Sequence, residues 1–190
     1  DVVERGEYFM YEKAIRLLEQ RGIQLTRGLN QAELDRIREV YGIEFPEPLK
    51  VFFQSVLPMS DAFYDWRDFS ESNISFLKEL MESPLKKIYD WAGEVYWCDD
   101  WGDEPEDEAK RVAFIRGKIP DAPRLIPIYS HRYMPLCSLE NYPVLSVHGV
   151  DVIYYGGNLE EYFNIEFGDQ KQSSLDIAHI EYVPFWSDLM

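Results

Sequence analysis

The sequence has few cysteines, and this shortage excludes two kinds of stabilised scaffold. Only Cys98 and Cys137 are present among 190 residues, and they form no CxxC or CxxH pattern. A disulfide framework and a zinc site are therefore not expected. We expect both thiols to be reduced and buried.

Basic residues are also scarce. Lys and Arg number 19 against 35 Asp and Glu, which gives a net charge of −16. Nucleic acids and anionic membranes attract basic surfaces, so the charge argues against both as partners and favours a basic protein. The alternative is that the acids serve only solubility.

Long hydrophobic runs are missing as well. None approaches the 18 residues of a membrane span, and the first residues carry acids in place of a basic leader. We therefore expect a cytoplasmic location, and Asp1 suggests that an initiating Met is absent. Hydrophobic residues make up 46% and aromatic residues 15% of the chain, which excludes general disorder and fits one domain.

The strongest strand signals lie between Leu125 and Gly157. Residues 144–148 and 152–155 are rich in β-branched and aromatic residues, and Gly149-Val150 between them suits a type II′ turn. This pattern predicts a β-hairpin. Residues 125–129 form a short apolar run that predicts a third strand.

Helical spacing of apolar residues predicts six helices around these strands. Asn30 and Asn158 are expected to cap two of them, because Glu follows each at the third position. Residues 85–97 fit a helical turn or a hairpin, of which we favour the hairpin, and residues 175–190 are expected to dock as a helix or an extended arm. The fold class is therefore α+β, a single domain with an antiparallel-rich sheet packed with helices. The helices are expected near residues 7–21, 31–41, 48–57 (until Pro58), 73–82 (ended by Ser83-Pro84), 105–116 (started by Pro105 and ended by Gly117) and 159–166.

Short motifs in a fixed order resemble the SUKH superfamily, which contains the Smi/Knr-type regulators of fungal cell-wall synthesis and many bacterial proteins. The resemblance covers about residues 26–165, and further segments look like a longer bacterial branch. The motifs of the superfamily are Glu33-Leu34, Ile37, Tyr41-Gly42-Ile43, Phe45-Pro46, Leu49, Phe52, residues 151–156, Leu159, Tyr162 and Phe163. Those of the longer branch are residues 63–67, Trp97, Trp101-Gly102 and residues 125–135.

This resemblance implies a SUKH-like α+β fold and a role in binding rather than catalysis. Many bacterial members look like immunity proteins that neutralise a cognate toxin, often a nuclease. The chain departs from the short immunity members by its additional aromatic and acidic segments. A small-molecule-binding or regulatory protein related to the cell wall is the alternative function, followed by a hydrolase.

The densest charge run, residues 99–108, contains seven acids and no base. It fits a solvated loop, a docking patch for a basic partner with an exposed Trp as anchor, or a metal site. The register of an EF-hand loop is absent. The predicted partner-binding residues are Asp99, Asp100, Trp101, Asp103, Glu104, Glu106 and Asp107.

A second candidate is a catalytic site or small-ligand cleft centred on His131-Arg132-Tyr133, in which Asp65 or Asp151 would orient the imidazole as a general base. No nucleophile elbow, phosphate loop or metal-spaced second His accompanies it, so we expect no enzyme, no cofactor and no metal. The structural alternative pairs Arg132 with Asp65 or Asp68. The predicted cleft residues are Asp65, Trp66, Trp97, His131 and Arg132.

The remaining aromatic and histidine residues have structural interpretations. Trp66, Trp91, Trp97 and Trp101 fit core packing or the wall of that cleft. His148 and His179 lie in apolar segments and are expected to be structural.

Overall fold

The structure is a computed structural model that describes residues 11–190, and these residues contain six α-helices and two antiparallel sheets. The helices are α1 (Glu12–Gln20), α2 (Gln31–Tyr41), α3 (Glu47–Ser55), α4 (Glu71–Asp90), α5 (Glu108–Lys118) and α6 (Leu159–Glu166). The strands are β1 (Gln24–Arg27), β2 (Val56–Met59), β3 (Arg124–Tyr129), β4 (Arg132–Leu136), β5 (Val144–His148) and β6 (Asp151–Gly156). The predicted α+β class is confirmed. Residues 7–10 of the first predicted helix lie outside the described part of the chain.

The larger sheet has the order β3-β4-β5-β6, with every neighbouring pair antiparallel. The predicted hairpin is its β5-β6 pair, closed by His148 opposite Asp151. Gly149 has a φ of 66°, whereas Val150 is not among the residues with positive φ, as a type II′ turn requires. The predicted third strand is β3.

The smaller sheet pairs β1 with β2 and was not predicted. Helix α3 ends at Ser55 because Val56 adopts an extended conformation, with φ −147° and ψ 151°. Leu57 precedes Pro58, which disfavours the α region, and it lies opposite Thr26 in the sheet. The predicted continuation of this helix to residue 57 is therefore wrong.

Two further predictions are wrong in the region of helix α4. The helix was expected to end at residue 82, and residues 85–97 were expected to form a hairpin. Helix α4 continues through Pro84 to Asp90, and a short 3-10 turn at Ala92–Glu94 follows. Leu77, Met81, Pro84 and Ile88 are all buried and share one face of the helix. Burial of this continuous face outweighs the hydrogen bond that Pro84 cannot donate.

Helix α5 also differs from its predicted bounds. It begins after Asp107, whose carboxylate accepts a hydrogen bond from the Lys110 backbone N–H, so Pro105 does not start it. It continues past Gly117 to Lys118. The capping Asp therefore decides the start of the helix.

Two hydrophobic cores lie on opposite faces of the four-stranded sheet. Ile126, Met134 and Val144 pack into the core that also contains buried residues of α1 to α4 and α6. Alternate residues of the same strands, such as Leu125 and Leu145, pack into the other core with α5 and the C-terminal residues. Ile88 places the end of α4 in the second core.

Residues 175–190 dock on the second core, as expected, through short 3-10 turns. Val183, Phe185, Trp186 and Leu189 of this C-terminal arm are buried. Among the described residues, no helix is long and apolar enough to cross a membrane.

Replacing Asn158 with Ala is expected to lower the free energy of unfolding by about 1 kcal/mol. Asn158 caps α6 as predicted, because its side-chain oxygen accepts the Glu161 backbone N–H at 2.9 Å. Urea denaturation measures the loss. The matched control is Asn158→Asp, which keeps an accepting oxygen and should retain most of the stability; equal losses in the two variants would contradict the capping role.

Candidate protein-binding groove

The acidic run forms one wall of an open groove beside the second core. The chain leaves α4, passes through a 3-10 turn at Asp99–Trp101 and reaches α5. The groove has a volume of about 650 Å³. Its lining residues are Tyr96, Trp97, Asp99, Gly102, Asp103, Glu104 and Arg111.

The acids of the run have different roles. Glu104 pairs with Arg111, and Asp107 caps α5. Asp99, Asp100, Asp103 and Glu106 are exposed. Of these four, Asp99 and Asp103 line the groove and present negative charge to it.

Among the described residues that line the groove, Arg111 is the one cation, and its guanidinium is already hydrogen-bonded to other groups of the protein. Its side chain is 14% exposed. Its guanidinium donates to the carbonyl oxygens of Ala92, Gly93 and Val95 as well as to Glu104. The accessible charge of the groove is therefore that of its carboxylates.

Trp97 lines the groove, and Trp101 packs against Trp97. The Trp97 indole N–H donates to the Gly102 carbonyl at 2.8 Å, and the Trp97 and Trp101 rings meet edge to face at 5.3 Å. The Trp101 indole N–H donates to Asp188 Oδ2 at 3.1 Å. Trp101 was predicted to be an exposed anchor for a partner. That exposure is wrong, because Trp101 is half-buried and its indole is hydrogen-bonded to Asp188 of the C-terminal arm.

Tyr96 is the exposed aromatic residue of the groove, and sequence reasoning missed it. It is 57% exposed, between Val95 and Trp97, which are both buried. This in-out-in alternation in an extended segment is the signal that could have identified it.

The predicted small-ligand cleft is not assembled. Trp66 is fully buried in the first core, whereas Trp97 belongs to the second core. Asp65 accepts a hydrogen bond from the Arg67 backbone N–H in its own loop. The five predicted residues therefore do not line one cavity.

Arg132 is buried, and its partner is neither Asp65 nor Asp68, contrary to expectation. Its Nε donates to Glu166 Oε2 at 2.9 Å, and its Nη1 donates to Ser146 Oγ at 3.0 Å. Its guanidinium lies 3.7 Å from the centre of the Tyr155 ring. This geometry is that of an internal ion pair joining α6 to the sheet.

His131 is half-buried at the start of β4. Its Nδ1 lies 3.1 Å from Ser130 Oγ, and its ring meets that of His148 edge to face, with 5.6 Å between centroids. Burial lowers the pKa of the His131 imidazole, and the neighbouring Arg132 and His148 lower it further. A neutral imidazole at pH 7 follows, because even its ordinary pKa is about 6.5.

His148 and His179, which were expected to be structural, are both exposed. His148 ends β5 beside the turn, and His179 Nδ1 lies 2.8 Å from Asp176 Oδ2 on the surface.

Cys98 and Cys137 are free thiols and only half-buried, whereas full burial was expected.

Within residues 11–190, no group of three or more His, Cys, Asp or Glu side chains is arranged to hold a metal ion.

Comparison of the chain with protein-family models, with curated proteins and with solved structures finds no match. The function is therefore inferred from the geometry of the groove.

Proposed function

We propose that the protein binds a basic partner protein, without catalysis, through the groove between Tyr96 and Arg111. The observation that supports this proposal is the combination in one cavity of exposed carboxylates, an exposed tyrosine and an internally neutralised arginine. Charge complementarity then selects a partner that presents Lys or Arg side chains.

The physical contributions of these groups differ. Asp99 and Asp103 attract a cationic surface over a Debye length of about 8 Å at physiological ionic strength, which accelerates association. Tyr96 offers an apolar ring with a hydroxyl at its tip. Tyrosine is enriched among the residues that contribute most of the binding energy in protein interfaces. The neighbouring Trp97 is buried and lines the groove, and its hydrogen bond to Gly102 fixes its orientation.

The resemblance to the SUKH superfamily supports an immunity role as the specific form of this function. An immunity protein covers its toxin, and a nuclease toxin carries a basic surface for its polyanionic substrate. An acidic groove complements such a surface and competes with the nucleic acid for it.

Reversing the charge of Asp99 and Asp103 to Lys is expected to lower affinity for the partner about tenfold or more, chiefly through slower association. Glu104 is left unchanged because its carboxylate pairs with Arg111. The measurement is the association rate at several salt concentrations, with a toxin encoded by a neighbouring gene as partner.

The matched control reverses Glu79 and Glu82, two exposed acids of α4, and changes the net charge by the same amount. It should retain nearly wild-type affinity. Equal affinity and salt dependence in wild type and both variants would show that the acidic run is only a solvated surface.

A further inference from the structure

The C-terminal arm ends against the wall of the groove. Asp188 accepts two hydrogen bonds there, from the Tyr182 hydroxyl at 2.5 Å and from the Trp101 indole N–H at 3.1 Å. The two donors come from the arm itself and from the acidic run, which are far apart in the sequence. Asp188 is therefore a direct link between these segments.

A strained turn brings Asp188 to this position. Phe185 has φ 68° and ψ −55°, and the Trp186 N–H donates to the Pro184 carbonyl at 2.8 Å, which defines a γ-turn with a positive central φ. This turn is rare and strained, so it persists only where the surrounding structure holds it in place.

Buried side chains and hydrogen bonds around the turn hold it in this conformation. Trp186 is fully buried and its indole N–H donates to the Pro123 carbonyl at 2.8 Å. Ser187 Oγ accepts the Val183 N–H at 2.8 Å and is hydrogen-bonded to the Tyr154 hydroxyl. The chain is thereby reversed, and Asp188 returns beside Tyr182.

Tyr182 keeps its donor role over a wide pH range. Although Tyr182 is 55% exposed, partial desolvation of its hydroxyl, followed by the hydrogen bond to Asp188, raises the pKa of Tyr182 to about 12. The phenol remains protonated at neutral and mildly alkaline pH. Its O–H therefore stays available to donate to Asp188 Oδ1.

We infer that Asp188 is a positioning residue for the groove: by holding Trp101, it sets the conformation of the wall that carries Asp99 and Gly102. Trp101 and Asp99 belong to one 3-10 turn, and Gly102 accepts the Trp97 indole N–H. The inference rests on the proposed function for its consequence in binding, but the conformation of the wall can be measured without a partner.

The first experiment records NMR signals of the unbound full-length protein. In Asp188→Ala, which leaves no side-chain acceptor for the Trp101 indole N–H, hydrogen exchange of that N–H should accelerate about tenfold, and the backbone amide signals of Asp99 and Gly102 should shift. Asp169→Asn removes an equal charge from an exposed site and should leave these signals unchanged. Asp188→Glu retains the carboxylate and should restore them in part.

The second experiment titrates an arginine-rich peptide as a probe of the groove. Asp188→Ala and Trp101→Phe should each weaken binding about fivefold, and the double variant should show no further loss, because both remove the same hydrogen bond. Asp169→Asn should change affinity less than about twofold. Thermal unfolding of each variant identifies any general loss of structure.

The outcomes separate the two proposals. If the wild type does not bind the peptide, the proposed function fails, and the NMR signals still decide the positioning. Unchanged Trp101, Asp99 and Gly102 signals in Asp188→Ala overturn the positioning inference. Fully additive losses in the double variant also overturn it, because Asp188 would then act by charge alone.

Discussion

Replacing Glu166 with Leu is expected to lower the free energy of unfolding by about 3–5 kcal/mol. The side chains of Arg132 and Glu166 are only 10% and 17% exposed and form an ion pair at 2.9 Å. Removing the carboxylate leaves the Arg132 charge in a poorly solvated site, because Ser146 and the Tyr155 ring cannot neutralise it. Urea denaturation of the two proteins measures the difference.

Two further variants test the cause of this loss. The double variant Arg132→Met with Glu166→Leu removes both charges and should recover much of the stability, since no unpaired charge remains. Glu39→Gln breaks the exposed pair with Arg36 and should cost less than about 1 kcal/mol. A Glu166→Leu loss as small as that of Glu39→Gln would contradict the buried-charge explanation.

Features set by local chemistry were predictable from the sequence. The caps at Asn30 and Asn158 are formed by a side chain and a backbone N–H three residues apart, so neighbouring residues determine them. The hairpin at Gly149 depends on a positive φ that glycine adopts without cost. These elements appear where the sequence predicts them.

Features set by tertiary contacts were not predictable in the same way. Strand β2 forms because β1, about thirty residues earlier, offers a partner for residues that otherwise continue a helical pattern. Helix α4 passes through Pro84 because its buried face contributes Leu77 and Met81 to the first core and Ile88 to the second. In both cases a distant surface decides the local conformation.

The candidate site shows the same division. The charge run located one wall of the groove, since seven acids without a base are visible in the sequence. The pairing of Trp101 with Asp188 and of Arg132 with Glu166 joins residues 87 and 34 positions apart. No local pattern specifies these pairs, so the exposure of Trp101 and the ion-pair partner of Arg132 were predicted wrongly.

Trp66 is the predicted cleft residue with the clearest alternative role. It has no exposed surface, and the rings of Tyr41 and Phe45 meet its indole edge to face at 5.6 Å and 5.0 Å. Its Nε1 is buried and has no hydrogen-bond partner within the described residues. Trp66 is therefore bound into the first core by packing alone.

Replacing Trp66 with Ala is accordingly expected to lower the free energy of unfolding by about 3–5 kcal/mol, because it removes a large buried ring and leaves a cavity. Trp66→Phe should cost much less, since it keeps an aromatic ring and sacrifices no hydrogen bond. Trp91→Ala is the exposed control, at 49% exposure, and should cost less than about 1 kcal/mol. Urea denaturation compares the three variants, and a thermal-shift screen with small metabolites accompanies it. A Trp66→Ala protein of unchanged stability that loses a saturable metabolite shift would show that Trp66 lines a ligand pocket and not the core.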